Sequence, residues 1–466
     1  MQRERKEKLA TQSQNQAIDY EDSDAAEKRN LYIETYGCQM NVADSEIVVS
    51  VLQKENFEVT KEISNADLIL VNTCSIRENA EQRVRGRLDV FRQQKKKNPG
   101  LIVGVIGCMA ERLKKKLLED EKLIDIVVGP DAYRDLPNLI KQTEGGQQAI
   151  NVLLSREETY ADISPVRYST NGVSAFVSIM RGCDNMCAYC VVPFTRGRER
   201  SREPETILQE ITKLAENNFK EVSLLGQNVD KYSWKNEESN VNFANLLEMV
   251  ANAFPNLRIR FSTSYPQDMN DEVLETMARH KNICKSIHLP AQSGSTKILE
   301  LMKRGYSREW YMDRIKSIRK IIPECSISTD IIAGFCNESD EDHQASLSLL
   351  KWANFDFAYM FKYSERPNTY AQRKLEDNVS EEIKSARLTE IIELQNKISA
   401  ETKEKDLNKT FEVLVEGISK KSKEHLFGRN SQNKVVVFPK ENYVIGDFVD
   451  VLITDFTSAT LKGKAM

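Results

Sequence analysis

Three cysteines stand at the spacing C-x₃-C-x₂-C in the stretch Met180-Arg181-Gly182-Cys183-Asp184-Asn185-Met186-Cys187-Ala188-Tyr189-Cys190. No other feature constrains the chain as strongly. The apolar run Ser174 to Met180 precedes it and reads as a buried strand, so the thiols sit in a loop at one end of a sheet. Thiolates are soft ligands that select zinc, copper(I) or iron–sulfur clusters. A structural zinc site takes four protein ligands, and after Cys190 the next histidine or cysteine is His280. A cubane cluster on three thiolates would leave one iron free for a small molecule. The plainer alternative is a buried thiol beside a redox C-x-x-C pair.

The length of 466 residues suggests two to four domains. A net charge of −4 gives no global nucleic-acid signature, so any such contact must be a local patch. The polar start MQRERKEKLATQSQNQ has no signal-peptide core, and no apolar run approaches the ~18 residues of a membrane span. Nine cysteines in a chain of this length do not read as a secreted disulfide framework. A cytoplasmic protein is expected.

Residues 1–29 are mixed-charge and read as a disordered tail. From Asn30, apolar runs alternate with helical patterns: Leu31–Thr35, Leu68–Asn72, Leu101–Ile106 and Ile124–Val128 as strands, with helices over Val42–Asn56, Glu78–Lys97 and Ala110–Glu119. Such alternation implies an α/β fold with a parallel, three-layer sheet over 30–145. Cys38, Cys74 and Cys108 each follow one of these strands. The carboxyl ends of parallel strands share one edge, where ligands bind. Any one of these cysteines alone reads as a buried thiol; all three at equivalent positions read as a second cluster site with one open iron. The stretch from Leu136 to Pro165 is weakly patterned and broken at Gly145-Gly146, and residues 146–168 read as a linker.

Six strand–helix units over 169–402 suit a partial (β/α)6 barrel with its active site at the carboxyl ends of the strands. The strands expected are Ala175–Met180, Glu221–Gly226, Arg258–Thr263, Ser286–Leu289, Ser326–Ala333 and Phe357–Lys362. Four short strands with turn residues between them, over 403–466, read as a small antiparallel β-barrel.

The stretch Arg181 to Arg202, RGCDNMCAYCVVPFTRGRERSR, resembles the methylthiotransferases of the radical S-adenosylmethionine superfamily, with Tyr189 as the aromatic before the last cysteine. TYGCQMNVADSE from Thr35 resembles the tRNA-modifying, MiaB-type branch of that family more than the branch that modifies a ribosomal protein, and VLVEGISKKSKEHLFGRNSQNKVVVF resembles a TRAM domain, an RNA-binding barrel. The resemblance implies two 4Fe-4S clusters, on Cys183, Cys187 and Cys190 and on Cys38, Cys74 and Cys108. It also implies two equivalents of S-adenosylmethionine, one as methyl donor and one as radical source. The activity implied is conversion of an isopentenylated adenosine beside the anticodon to its 2-methylthio form. The electron donor implied is a flavodoxin or ferredoxin; the sulfur source stays open, and a monomer is expected.

Polar residues at strand ends, Gln227, Asn228, Ser264, Gln292 and Asp330, are candidates for cofactor binding together with Tyr189. Arg196, Arg198 and Arg200 alternate after the cluster loop and, with Lys420, Lys421 and Arg429 in the last domain, are candidates for RNA phosphates. The bland reading pairs the arginines with Glu199, Glu203 or Glu205 and leaves the lysines solvated. Gly334-Phe335-Cys336-Asn337-Glu338-Ser339 departs from the GFPGET-like turn of the family and loses its proline and second glycine. Two rival functions remain: a methylthiotransferase acting on another adenosine or a ribosomal-protein side chain, or an RNA-binding protein with structural metal sites.

Overall fold

The computed structural model describes residues 28–74, 78–168 and 170–466. The expected tail therefore lies outside the described residues except at its end, where Arg29 already opens the first strand.

Six parallel strands form the first sheet: β1 (Arg29–Thr35), β2 (Phe57–Val59), β3 (Leu68–Asn72), β4 (Ile102–Ile106), β5 (Ile126–Val128) and β6 (Ala149–Asn151), in the order β2-β1-β3-β4-β5-β6. Helices α1 (Gln39–Gln53), α2 (Glu78–Lys97), α3 (Cys108–Leu113), α4 (Lys115–Asp120) and α5 (Leu136–Glu144) cover it. Strand β3 shows why two layers form. Its alternate residues Leu68 and Leu70 pack with α1 and α5, while Ile69 and Val71 pack with α2, α3 and α4.

Two elements lie where the sequence suggested weak pattern. Helix α5 buries Leu136, Leu139 and Ile140, one narrow stripe with Pro137 in its first turn. Strand β6 has only three residues, too few to show a period of two, and is held by its parallel pairing to β5. The connecting segment therefore begins after Asn151, and even there Tyr160 and Ile163 are packed into the first domain's core.

The second domain opens with β7 (Ser174–Ser178), the two-residue β8 (Met180–Arg181), α6 (Val192–Arg196), β9 (Arg200–Ser201) and α7 (Pro204–Glu216). Next come β10 (Glu221–Leu225), the hairpin β11 (Ser233–Lys235) and β12 (Asn240–Asn242), α8 (Phe243–Ala253), β13 (Arg258–Ser262), α9 (Asp271–Arg279) and β14 (Ser286–His288). The rest comprises α10 (Thr296–Leu301), α11 (Arg308–Ile321), β15 (Ser326–Ala333), α12 (Asp340–Ala353), β16 (Phe357–Lys362), α13 (Tyr370–Lys374) and α14 (Glu381–Glu404). Parallel ladders β13-β10-β7 and β14-β15-β16 meet through a parallel bridge from Ile259 to Ile283, which gives the open six-stranded barrel. One continuous apolar cluster fills the space between strands and helices, from Ala175 to Ile398.

The turn that departs from the GFPGET pattern keeps its shape. Gly334 has φ of 72° and Asn337 has φ of 62°. Asparagine tolerates the left-handed region, so it replaces the lost glycine without a break. Glu338 completes the turn by accepting from the Gly334 amide at 2.9 Å.

The last domain is a closed barrel in the order β17-β18-β19-β21-β20, built from β17 (Thr410–Ile418), β18 (His425–Asn430), β19 (Val435–Pro439), β20 (Phe448–Phe456) and β21 (Leu461–Ala465). The fifth strand escapes a four-strand reading because Leu461-Lys462-Gly463-Lys464-Ala465 carries a single large apolar residue. It closes the barrel by pairing parallel to β19 and antiparallel to β20. This barrel docks at the amino ends of the central strands. Arg258 donates to the Arg429 carbonyl at 2.8 Å, Arg260 to the Asn430 carbonyl at 2.7 Å, and Lys434 pairs with Asp356 at 2.9 Å. Among the described residues no helix is long and apolar enough to cross a membrane.

Candidate active site: two cysteine triads joined by buried arginines

Cys38 immediately precedes α1, Cys74 lies two residues past β3, and Cys108 is the first residue of α3. All three stand at the carboxyl edge of the first sheet. Gly37, with φ of 121°, permits the close approach: a β-carbon there would lie 2.4 Å from that of Cys74. A hydrogen bond from the Cys74 thiol, reinforced by the Arg196 guanidinium, holds the Cys38 thiol down at about 6 against the opposing effect of burial. Burial pushes the Cys108 thiol up.

The second triad, Cys183, Cys187 and Cys190, occupies the loop between β8 and α6, and each cysteine is half-buried. Gly182 lets this loop pass against the next segment; a β-carbon there would meet the Arg198 carbonyl at 1.9 Å. Burial pushes Cys183 up to about 12 and Cys190 above its usual value. Cys190 Sγ accepts from the Val192 amide at 3.4 Å, and Cys187 Sγ accepts from Arg304 Nη1 at 3.3 Å. As the side chains stand, no three cysteine, histidine or acidic residues among the described ones could hold a single metal ion. Two sets of three soft thiols with no fourth protein ligand instead fit a cluster that keeps one open position.

Five charged side chains fill the space between the triads. Arg181, beside the second triad, donates to Asp44 of α1 at 2.8 Å and to the Pro130 carbonyl at 3.0 Å, and its guanidinium lies 4.9 Å over the Tyr160 ring. Arg196, at the end of α6, donates through Nη2 to Asn41 at 2.9 Å and to Asp44 at 2.8 Å. Arg200 donates to Asp131 at 3.0 Å. Burial alone would raise the Asp44 carboxyl, but Arg181 and Arg196 together hold it below its ordinary value.

Arg196 and Arg200 are thus interior ion-pair partners and not surface cations, which corrects the expectation that they meet phosphate. Gly197, with φ of 69°, turns the chain between α6 and β9, so the alternate arginines do not share one exposed side. Arg198 is the exception: its side chain is 68% exposed and pairs with Asp184 at 2.8 Å.

Three family models match the chain: Uncharacterized protein family UPF0004 over residues 30–129, the Radical SAM superfamily over 177–350 and the TRAM domain over 404–466. The protein named tRNA-2-methylthio-N(6)-dimethylallyladenosine synthase in Amoebophilus asiaticus is 58% identical over 94% of this chain and 92% of its own length. That of the same name in Bacteroides fragilis is 55% identical over 96% and 98%. The chain belongs to the tRNA-2-methylthio-N(6)-dimethylallyladenosine synthase family. Its fold extends to distant structures as well. The radical S-adenosylmethionine methyltransferase TsrM from Kitasatospora setae superposes with a TM-score of 0.57 at 14% identity, covering 74% of this chain and 77% of that one. The cobalamin-dependent radical enzyme OxsB does so at 0.52 and 14%, over 80% and 56%.

In this member of the synthase family the remaining candidates spread along the carboxyl rim of the open barrel. Tyr189 is packed edge-on against Phe335, with ring centroids 6.3 Å apart. Gln227 accepts from the Gly182 amide at 2.6 Å, so it holds the cysteine loop in place. Asn228 donates to Asp268 at 2.7 Å, yet its Oδ1 is buried without a hydrogen-bond partner. Gln292 is bonded through its backbone to Asp330 at 2.8 Å, and the Asp330 carboxylate lies 3.4 Å from His288. Asp230, which the sequence did not single out, is buried beside Ser264 with its carboxyl pushed up to about 7. The unpartnered Asn228 Oδ1 fits a rim that receives a polar ligand.

The TRAM barrel divides the basic candidates. Lys420 and Lys421, with Lys423, stand exposed in the turn after β17, and none has an ion-pair partner among the described residues. Arg429 is engaged instead with Glu416 at 2.6 Å and Glu221 at 3.3 Å, which pins the barrel to the central domain and corrects its expected RNA contact.

Three residues central to the site carried weak signals. Arg181 and Asp44 lie within the family-like stretches but look like ordinary polar positions there. Asp131 follows β5, where the strand-end rule applies, yet it carries no motif.

Proposed function

We infer that this protein converts N6-dimethylallyladenosine in tRNA, beside the anticodon, to its 2-methylthio derivative. The observation that carries the reading is the pairing of two complete cysteine triads, on different domains, across one buried arginine–aspartate network. Full-length identity to synthases of that name supports the substrate.

In this reading each triad holds a 4Fe-4S cluster with one open iron. A cluster held by Cys183, Cys187 and Cys190 would supply the electron for reductive cleavage of S-adenosylmethionine, and one held by Cys38, Cys74 and Cys108 would supply the sulfur. The chain's own residues do the positioning. Gln227 fixes the cysteine loop through Gly182. Asn228, Ser264, Gln292 and Asp330 hold the cofactor at the rim, where Tyr189 closes the loop. Arg181 and Arg196, both bonded to Asp44, keep the two thiol sets in fixed register, which a transfer between two centres requires. One chain contains both triads, so a monomer suffices. A flavodoxin- or ferredoxin-class protein delivers the electron, and the setting is the cytoplasm, where tRNA is modified.

The test is direct. Anaerobically reconstituted protein is given S-adenosylmethionine, a low-potential reductant and tRNA bearing N6-dimethylallyladenosine, and the nucleosides are analysed by mass. The 2-methylthio nucleoside is the expected product. Its absence, with both clusters loaded, would sink the reading.

A further inference from the structure

Eight arginines are buried among the described residues: Arg181, Arg196, Arg200, Arg202, Arg258, Arg260, Arg304 and Arg387. Seven of them pair with a carboxylate. Arg304, just past α10 and 4% exposed, is the exception among these residues. Its Nε donates to Tyr306 Oη at 2.9 Å and its Nη2 to the Pro290 carbonyl at 3.0 Å. Its Nη1 reaches Cys187 Sγ at 3.3 Å and Tyr189 Oη at 3.4 Å. The Tyr265 ring lies 4.3 Å from the guanidinium carbon. A phenol and a backbone carbonyl carry no charge near neutrality, so none of these oxygens is an anion.

A buried guanidinium surrounded by neutral acceptors and rings is costly, because its solvation is lost without a compensating anion. Cation–π contact with Tyr265 offsets only part of that cost. The remaining contact is the sulfur of a cysteine in the second triad. When three thiolates hold a 4Fe-4S cluster, the assembly is anionic, and reduction adds one further negative charge.

We propose that Arg304 is the counter-cation of the cluster held by Cys183, Cys187 and Cys190, and that its hydrogen bond to Cys187 raises the reduction potential of that cluster. The proposal rests on the reading that this triad holds the S-adenosylmethionine-binding cluster. Arg304 acts as a positioning and tuning residue: it touches a ligand of the cluster and not the substrate. A cation next to the cluster stabilises the more negative, reduced state, and hydrogen bonds to cluster sulfurs shift the potential in the same direction. The electron donor thereby needs less driving force.

The experiment compares wild type with Arg304→Met, which keeps length and loses charge, and Arg304→Lys, which keeps charge and loses the planar fork. Iron and sulfide are quantified, and the paramagnetic signal that changes on adding S-adenosylmethionine is titrated against potential. In the Met variant the reduction equilibrium should move about tenfold towards the oxidised cluster, ~59 mV lower for one electron. The Lys variant should stay within about threefold of wild type, because a nearby cation remains. An unchanged potential in a fully loaded Met variant would overturn the proposal. If that variant assembles no cluster, the melting temperature of the cluster-free proteins decides. A Met variant melting at or above cluster-free wild type supports the counter-charge, since the uncompensated cation is gone. A lower melting temperature would show Arg304 to be a structural staple and reject the idea. A wild-type protein with no signal responsive to S-adenosylmethionine would bring down the functional reading, and the proposal with it.

Discussion

Cys187 and Cys74 illustrate how differently two thiols can be placed to do related work. Cys187 is half-buried in a loop and accepts a hydrogen bond from a cation. Cys74 is buried at a sheet edge and donates a hydrogen bond to its neighbour Cys38. Each triad has its own three thiols on its own domain, so if each holds a cluster as proposed, the two should fail separately. Cys187→Ala should reduce 5′-deoxyadenosine formation to background while the N-terminal triad still loads iron. Cys74→Ala should still cleave S-adenosylmethionine, form no 2-methylthio product and lose iron towards a single cluster's worth. Deoxyadenosine, methylthio nucleoside and iron are measured in the same anaerobic sample. Normal methylthio product from Cys74→Ala would exclude a sulfur-carrying role for the first triad.

At the scale of elements, α1 is the joint of the molecule. It starts beside Cys38, presents Asp44 to Arg181 and Arg196, and two residues later buries Glu46 against Arg167, which also binds Glu210 of α7. Burial dominates at Glu46 and pushes its carboxyl up to about 7 from an ordinary 4.5, against the pull of Arg167. The folded protein therefore keeps a proton that the unfolded chain has released between those two values. Stability must fall as pH rises through that window. Glu46→Gln should flatten this fall. Melting temperatures at pH about 5 and about 8 would show it, with the variant losing less than wild type on going to the higher pH. Equal losses in both would mean that Glu46 is ionised throughout.

The whole molecule separates chemistry from grip. Both triads lie at carboxyl ends of parallel strands, whereas the last barrel is fixed to the amino ends of the central strands through Arg258, Arg260 and Lys434. RNA held by that barrel must therefore reach along the central domain to the rim. Lys420, Lys421 and Lys423 are the exposed cations of its first turn. Replacing all three with Gln should weaken tRNA binding and lower the slope of log affinity against log salt by about 0.7–0.9 for each phosphate no longer neutralised. Cleavage of S-adenosylmethionine without tRNA should be unchanged. A slope identical to wild type, measured by filter binding across a salt series, would make these lysines ordinary surface.

The six cysteines, the three-domain order and the six central strands are legible in the sequence because each has a short-range signature. Spacing marks the loop triad. Buried β-runs followed by cysteine mark the sheet-edge triad. Strand ends fall within a residue or two of the apolar runs. What tertiary structure alone decided is which charges face which. Arg196 and Arg200 read as phosphate ligands by spacing, but Asp44 and Asp131, brought in from distant parts of the chain, claim them. Arg429 is taken by Glu221, more than two hundred residues away. Strands β6 and β21 are likewise too short or too polar to show a period, and exist because a neighbouring strand offers an unpaired edge. Apolar periodicity is written locally, since it repeats along one element. The partner of a buried charge is not, because a guanidinium pairs with whichever carboxylate the fold delivers within hydrogen-bond reach, whatever its place in the chain.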